Sequence, residues 1–221
     1  MKLYIYEHCP FCARVLYVAG SLNLSINSTV IDYDDETTTT KISGIKQVPV
    51  FVNDNNQALT ESLDIIEHLL QQADVSEKSK PSHDVLQWQS DAFLTLQKIG
   101  YPRWYLYPLK EFKKESAQIA WREKKETETL NFDALLADTK DIARDAEELI
   151  KRAGALLNTN KKTKRDLVDK SIIFSILRGF TSAIEINWDP FVANWIIKQS
   201  KETGVSLLTE RFPPELNSVA K

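Results

Sequence analysis

The chain has 221 residues, of which 43% are hydrophobic and 27% charged, with a formal net charge of -3. That length leaves room for one large unit or for a small domain joined to a medium one, and so weak a negative charge creates no field that would gather phosphate backbones, so nucleic acid is not an expected partner. No apolar run reaches the 18 or so residues of a membrane span, and Met1-Lys2 leads straight into strand-like residues with no leader pattern, so a cytoplasmic protein without a membrane partner is expected. Lys2 to Tyr6 reads as a strand, and Pro10 to Leu22 then switches to helical spacing through Phe11, Val15, Leu16, Val18, Ala19 and Leu22. Ser28 to Asp32 is a second short strand, after which the acidic, threonine-rich Asp34 to Thr40 caps a short helix ending near Ser43-Gly44. Val48 to Val52 and Gln57 to Thr60, joined by Asn53-Asp54-Asn55-Asn56, read as a β-hairpin. Ser62, Leu63, Ile65, Ile66, Leu69 and Leu70 then form an amphipathic helix that stops before the polar stretch Ala73 to Ser82.

The order βαβ–αββα within about 72 residues is that of a thioredoxin-like α/β domain. The division expected is such a domain over 1–73, a linker over 74–83 and an all-helical C-terminal bundle over 84–221. In the second part Val85, Trp88, Ala92, Leu96 and Ile99 share one face, as do Leu135, Leu136, Ile142, Ala143, Ala146, Leu149, Ile150 and Ala153. A helix from about Asp169 to Ile184 carries the run Ile172 to Leu177, apolar on every side, which places it in the middle of the bundle; Asp166 and Asp169 offer caps at its start. A last helix runs from about Pro190 to Glu202, before Gly204. The basic cluster Lys161-Lys162-Thr163-Lys164-Arg165 reads as a solvated loop.

The chemistry concentrates in His8-Cys9-Pro10-Phe11-Cys12. A C-x-x-C between a strand and a helix reads as redox. Zinc lacks ligands, because His8, His68 and His83 have no paired spacing, and a static disulfide staple does not suit a reducing compartment. Cys9 falls at the helix start, where unpaired N–H groups and the helix dipole stabilise an exposed thiolate. Pro10 suits the first helical position, and Cys12, three residues on, reaches back to close a disulfide. His8 either adds positive charge or is an ordinary loop histidine.

Two further features are ambiguous alone. Val48-Pro49 is either a cis peptide leaving the Val48 backbone free to pair with an extended peptide, or an ordinary edge-strand proline. Thr60-Glu61-Ser62 is either a helix cap, Ser62 being the N-cap, or a site in which the helix start and Ser62 hold a carboxylate while Glu61 holds an ammonium group. Those two charges sit on the α-carbon of a γ-glutamyl group, so with a nearby thiolate the three features together describe glutathione.

The chain resembles the glutaredoxin 2 family, the larger glutaredoxins built like glutathione transferases, in "KLYIYEHCPFC" at Lys2 to Cys12, "KQVPVF" at Lys46 to Phe51, "ESLDI" at Glu61 to Ile65, "NFDALL" at Asn131 to Leu136 and "INW" at Ile186 to Trp188. The resemblance implies a thioredoxin-like domain docked on a helical bundle, with glutathione-dependent reduction of disulfides or glutathionylated proteins. It implies Cys9 and Cys12 as the redox pair, Pro10 and Phe11 beside the bound glutathione, Val48 as the backbone anchor beside a cis Pro49, and Glu61 with Ser62 as the γ-glutamyl grip. A monomer without a metal is expected. Phe11 departs from the tyrosine common there, and the proline usual near Ser25-Ile26 is missing. Lys46 and Lys41 are candidates for the glycine carboxylate.

Other activities fit less well. A cysteine-type glutathione transferase or dehydroascorbate reductase shares the architecture but usually lacks the second cysteine; the aromatic stretch Tyr101 to Tyr107 would be either its co-substrate pocket or plain core. A non-catalytic redox-regulated or iron–sulfur binding module usually has a single cysteine in the motif.

Overall fold

The computed structural model describes residues 1–76, 80–158 and 165–209; Lys161 to Lys164 of the basic cluster lie outside them. Its first part runs β1 (Lys2–Ile5), α1 (Pro10–Ser21), β2 (Asn27–Val30), α2 (Thr38–Ser43), β3 (Val50–Val52), β4 (Ala58–Leu59) and α3 (Ser62–Gln72). The sheet order is β2-β1-β3-β4, with β1 parallel to β2 and antiparallel to β3, and β3 antiparallel to β4. Central β1 alternates, burying Leu3 and Ile5, and Leu3 stands opposite Phe51 of β3. The hairpin strands are shorter than the apolar pattern implied. Asp35 starts α2, accepting the Thr37 and Thr38 N–H groups at 2.8 and 2.9 Å, and Gly44 ends it at φ 82°.

The second part runs α4 (His83–Trp104), a 3-10 turn (Lys110–Phe112), α5 (Glu115–Lys125), α6 (Phe132–Ala137), α7 (Thr139–Leu157), α8 (Leu167–Phe180) and α9 (Pro190–Thr203), with no strand among the described residues. Every residue of α8 from Ser171 to Phe180 is buried, because α1, α4, α7 and α9 all pack on it. Its apolar run therefore meets the first domain as well as its own bundle. Among the described residues no helix is long and apolar enough to cross a membrane.

Three local expectations need correction. Helix α8 stops at Phe180 rather than near Ile184, because the hydroxyls of Thr181 and Ser182 donate to the carbonyls of Arg178 and Gly179 at 2.7 and 2.5 Å and replace the next helical turn. The periodic stretch around Leu135 to Ala153 is two helices, since Asp138 breaks it and Thr139 turns its hydroxyl back to Leu136 O at 2.7 Å. Asp166 makes no side-chain cap bond. Asp169 instead reaches across to the start of α4, accepting the Ser82 N–H at 2.8 Å and its hydroxyl at 2.6 Å.

Candidate active site

Strand β1 delivers the chain to a turn in which Cys9 N–H donates to Tyr6 O at 3.3 Å, and Cys9 itself takes the N-cap position with Pro10 as the first helical residue. Both cysteines are free thiols. Cys9 is 7% exposed and Cys12 1%, so the exposed thiolate expected from the sequence is instead a nearly covered one, because the helical domain closes over it. Cys9 lines a cavity of ≈ 190 Å³ between the domains.

The electrostatics of the pair are asymmetric. A hydrogen bond from the Cys12 thiol lowers Cys9 below the ordinary thiol value, and despite the penalty of burial the backbone N–H groups of Cys12 and Phe11 and the charge of Arg14 help. Burial, the bond to Cys9 and the Cys9 charge push Cys12 well above that value. The unpaired N–H groups of the helix start do contribute, but the thiol of Cys12 contributes more.

His8 supplies no positive charge. It is 6% exposed, stacked on Tyr6, Trp104 and Phe112 at 5.6, 5.2 and 5.3 Å, and burial pushes its imidazole below the ordinary value. Its Nδ1 lies 2.8 Å from Glu111 Oε1, and since a carboxylate oxygen only accepts, Nδ1–H is the donor.

The remaining expected residues gather in a second cleft of ≈ 540 Å³, lined by Val48, Pro49, Glu61 and Ser62 together with Arg14 and Gln89. The Val48-Pro49 peptide is cis. Ser62 is the first helical residue of α3 rather than its N-cap, a position Glu61 takes without a side-chain cap bond; Ser62 is buried and Glu61 exposed. Phe11 and Gln47 line both this cleft and the cavity over Cys9, so the two spaces are neighbours. Lys46 lines the cavity, pairs with Glu36 at 2.5 Å and lies 5.3 Å from the Tyr33 ring centre, whereas Lys41 is exposed and lines neither space.

A family model described as glutaredoxin 2, C terminal domain, matches residues 84–211, more than half of the chain. The chain belongs to the glutaredoxin 2 family. A second model, for the N-terminal domain of glutathione S-transferases, matches residues 3–79. Glutaredoxin 2 of Escherichia coli K12 is 29% identical over 212 residues, spanning 95% of this chain and 98% of that protein. Among solved structures, glutaredoxin 2 from Salmonella typhimurium in complex with glutathione superposes with a TM-score of 0.86 at 27% identity, covering 94% of this chain and 96% of that one. A glutathione S-transferase domain-containing protein from Marinobacter aquaeolei shares the fold at a TM-score of 0.56 and 13% identity, covering 93% and 100% of the two chains.

Several residues that line the cavity and the cleft escaped sequence reasoning. Arg14 is buried, donates to Gln89 Oε1 at 2.6 Å and lies 4.8 Å from the Phe11 ring centre; burial lowers it to about 10, which leaves it charged. A lone arginine between Ala13 and Val15 on an apolar helix was its signal. Tyr101, Trp104 and Trp121 form an aromatic wall of the cavity, and Lys125 lies over the Tyr101 and Trp121 rings at 5.1 and 5.7 Å. The stretch Tyr101 to Tyr107 is therefore both core and wall, Trp104 being 2% exposed and Leu106 60%. The family stretches "NFDALL" and "INW" serve structure: Asn131 caps α6 through Ala134 N–H at 2.9 Å, and Ile186 is buried.

Proposed function

We propose that the chain is a dithiol glutaredoxin, a glutathione-dependent thiol–disulfide oxidoreductase in which Cys9 attacks and Cys12 resolves. The observation that supports this reading is the shared lining of Phe11 and Gln47, which sets the space over Cys9 beside the cleft of Val48, Pro49, Glu61 and Ser62. Glutathione lies along the groove they form. Its α-ammonium meets Glu61, its α-carboxylate meets Ser62 and the start of α3, its peptide pairs with the Val48 backbone beside Pro49, and its sulfur reaches Cys9 past Pro10 and Phe11.

The Cys9 thiolate attacks one sulfur of a disulfide, the S–S bond breaks, and the departing thiolate takes a proton from solvent. Either Cys12 then attacks Cys9 to close the intramolecular disulfide, or a glutathione thiolate attacks and regenerates Cys9. The aromatic wall with Lys46 and Lys125 receives the other half of the disulfide. The same reading divides the chain into a thioredoxin-like unit over 1–73, a linker over 74–83 and a helical domain over 84–221, acting as a cytoplasmic monomer on protein or small-molecule disulfides. In a glutathione-coupled disulfide assay, Cys9→Ser is expected to lose activity and Cys12→Ser to keep it only for glutathionylated substrates. Full activity in Cys9→Ser would rule this function out.

A further inference from the structure

Glu111 is a buried carboxylate outside the groove. It sits in the 3-10 turn of the helical domain with its side chain 0% exposed, and Oε1 accepts both the His8 backbone N–H at 2.9 Å and His8 Nδ1–H at 2.8 Å. Oε2 is buried and has no hydrogen-bond partner among the described residues. Burial pushes this carboxyl up, but the His8 bonds outweigh it and hold Glu111 below the usual carboxylate range, so it stays charged. Burying a charge carries a large desolvation penalty, and the buried Oε2 has no hydrogen bond to offset it. The charge itself therefore calls for a role.

The groups around it suggest one. Arg178 from α8 is buried nearby, donating to Glu7 O at 2.8 Å and Ser206 O at 2.6 Å; Lys125 comes from α5, Tyr6 of the first domain stacks on His8, and Tyr33 lies tilted 6.3 Å from it. Cys9 follows His8 directly, with Cys12 one turn along α1. Glu111 adds to the effects that keep Cys12 protonated, while those that ionise Cys9 come from Cys12, Phe11 and Arg14.

We propose that Glu111 is the positioning residue of the redox pair: it reaches over from the helical domain, fixes the His8-Cys9 turn with one carboxylate oxygen and keeps the charge of the reduced pair on Cys9 with its own buried charge. This rests on the reading of Cys9 and Cys12 as the redox pair. In the resolving step the Cys12 sulfur attacks Cys9 of the mixed disulfide, the bond from Cys9 to the substrate sulfur breaks, and the proton held on Cys12 leaves with the substrate as its thiol. Cys9 and Cys12 end oxidised and the substrate reduced.

The test is ultraviolet thiolate absorbance against pH in the full-length chain, comparing Cys9→Ser with Cys9→Ser/Glu111→Gln. Removing the carboxylate charge is expected to lower the Cys12 midpoint by about one pH unit, roughly a tenfold larger thiolate fraction on its acid side. Glu111→Asp, which keeps the charge, is expected to lower Tm while leaving the midpoint within a few tenths of a unit of the parent. An unmoved midpoint in folded Glu111→Gln overturns the proposal, since a merely structural role changes Tm alone. If that variant does not fold, the Glu111 carboxyl 13C resonance of the unaltered reduced chain is followed instead; it should shift as the thiols titrate, and a flat trace overturns the proposal. Midpoint shift without glutathione-coupled activity would refute the activity and support the role of Glu111; activity without a shift would do the reverse.

Discussion

Cys9 and Cys12 share one proton's worth of asymmetry: the second donates to the first, and burial makes that donation one-sided. Iodoacetamide should therefore modify Cys9 with a midpoint below the ordinary thiol value near ~8.5, the rate falling as pH drops through that midpoint, while Cys12 stays unmodified. Mass spectrometry of the alkylated peptide checks both statements. Arg14 supports the Cys9 charge from a buried position, so Arg14→Met is expected to raise the Cys9 midpoint by about half a pH unit, read in the same alkylation series. Phe11 packs 5.9 Å from Phe93 and lies under Arg14, so it is a point of contact between the two domains as well as a wall of both the cavity and the cleft.

At the scale of elements, the strand and helix pattern of the first domain was legible because alternation and 3.6-residue spacing are local properties. Boundaries set by distant partners were not. Asp169 looked like a cap for its own helix, yet it binds Ser82 at the start of α4, 87 residues away. Asp169→Ala should strand two partly buried donors and cost about 1 kcal/mol, measured by denaturant unfolding, with the Cys9 alkylation midpoint unchanged. Gly20 marks a close approach of α1 and α9: a Cβ there would stand 2.0 Å from Thr203 O. Gly20→Ala is therefore expected to destabilise by about 1–3 kcal/mol through backbone displacement, seen as a lowered Tm.

Across the whole molecule the two halves share one core. Helix α8 packs on α1, and Arg178 donates to Glu7 O, 171 residues away, so neither half presents a finished surface to solvent. All five tryptophans lie beyond residue 83, whereas both thiols lie in the first domain, which gives each half its own probe. Tryptophan fluorescence and Cys12 accessibility are expected to follow a single coincident unfolding transition in urea; separate midpoints would show that the halves unfold independently.

By itself the sequence determined the βαβαββα order, the helical second domain and a dithiol at a helix start, because each is written in neighbouring residues. It also supplied the residues of the groove, Val48, Pro49, Glu61 and Ser62, through their chemistry. Tertiary structure alone decided that Cys9 is covered, that His8 is neutral, and that Arg14, Trp121, Lys125 and Glu111 surround the thiols. The reason is physical: burial and the ionisation it controls depend on what packs against a residue, and for His8 that partner, Glu111, comes from 103 positions along the chain.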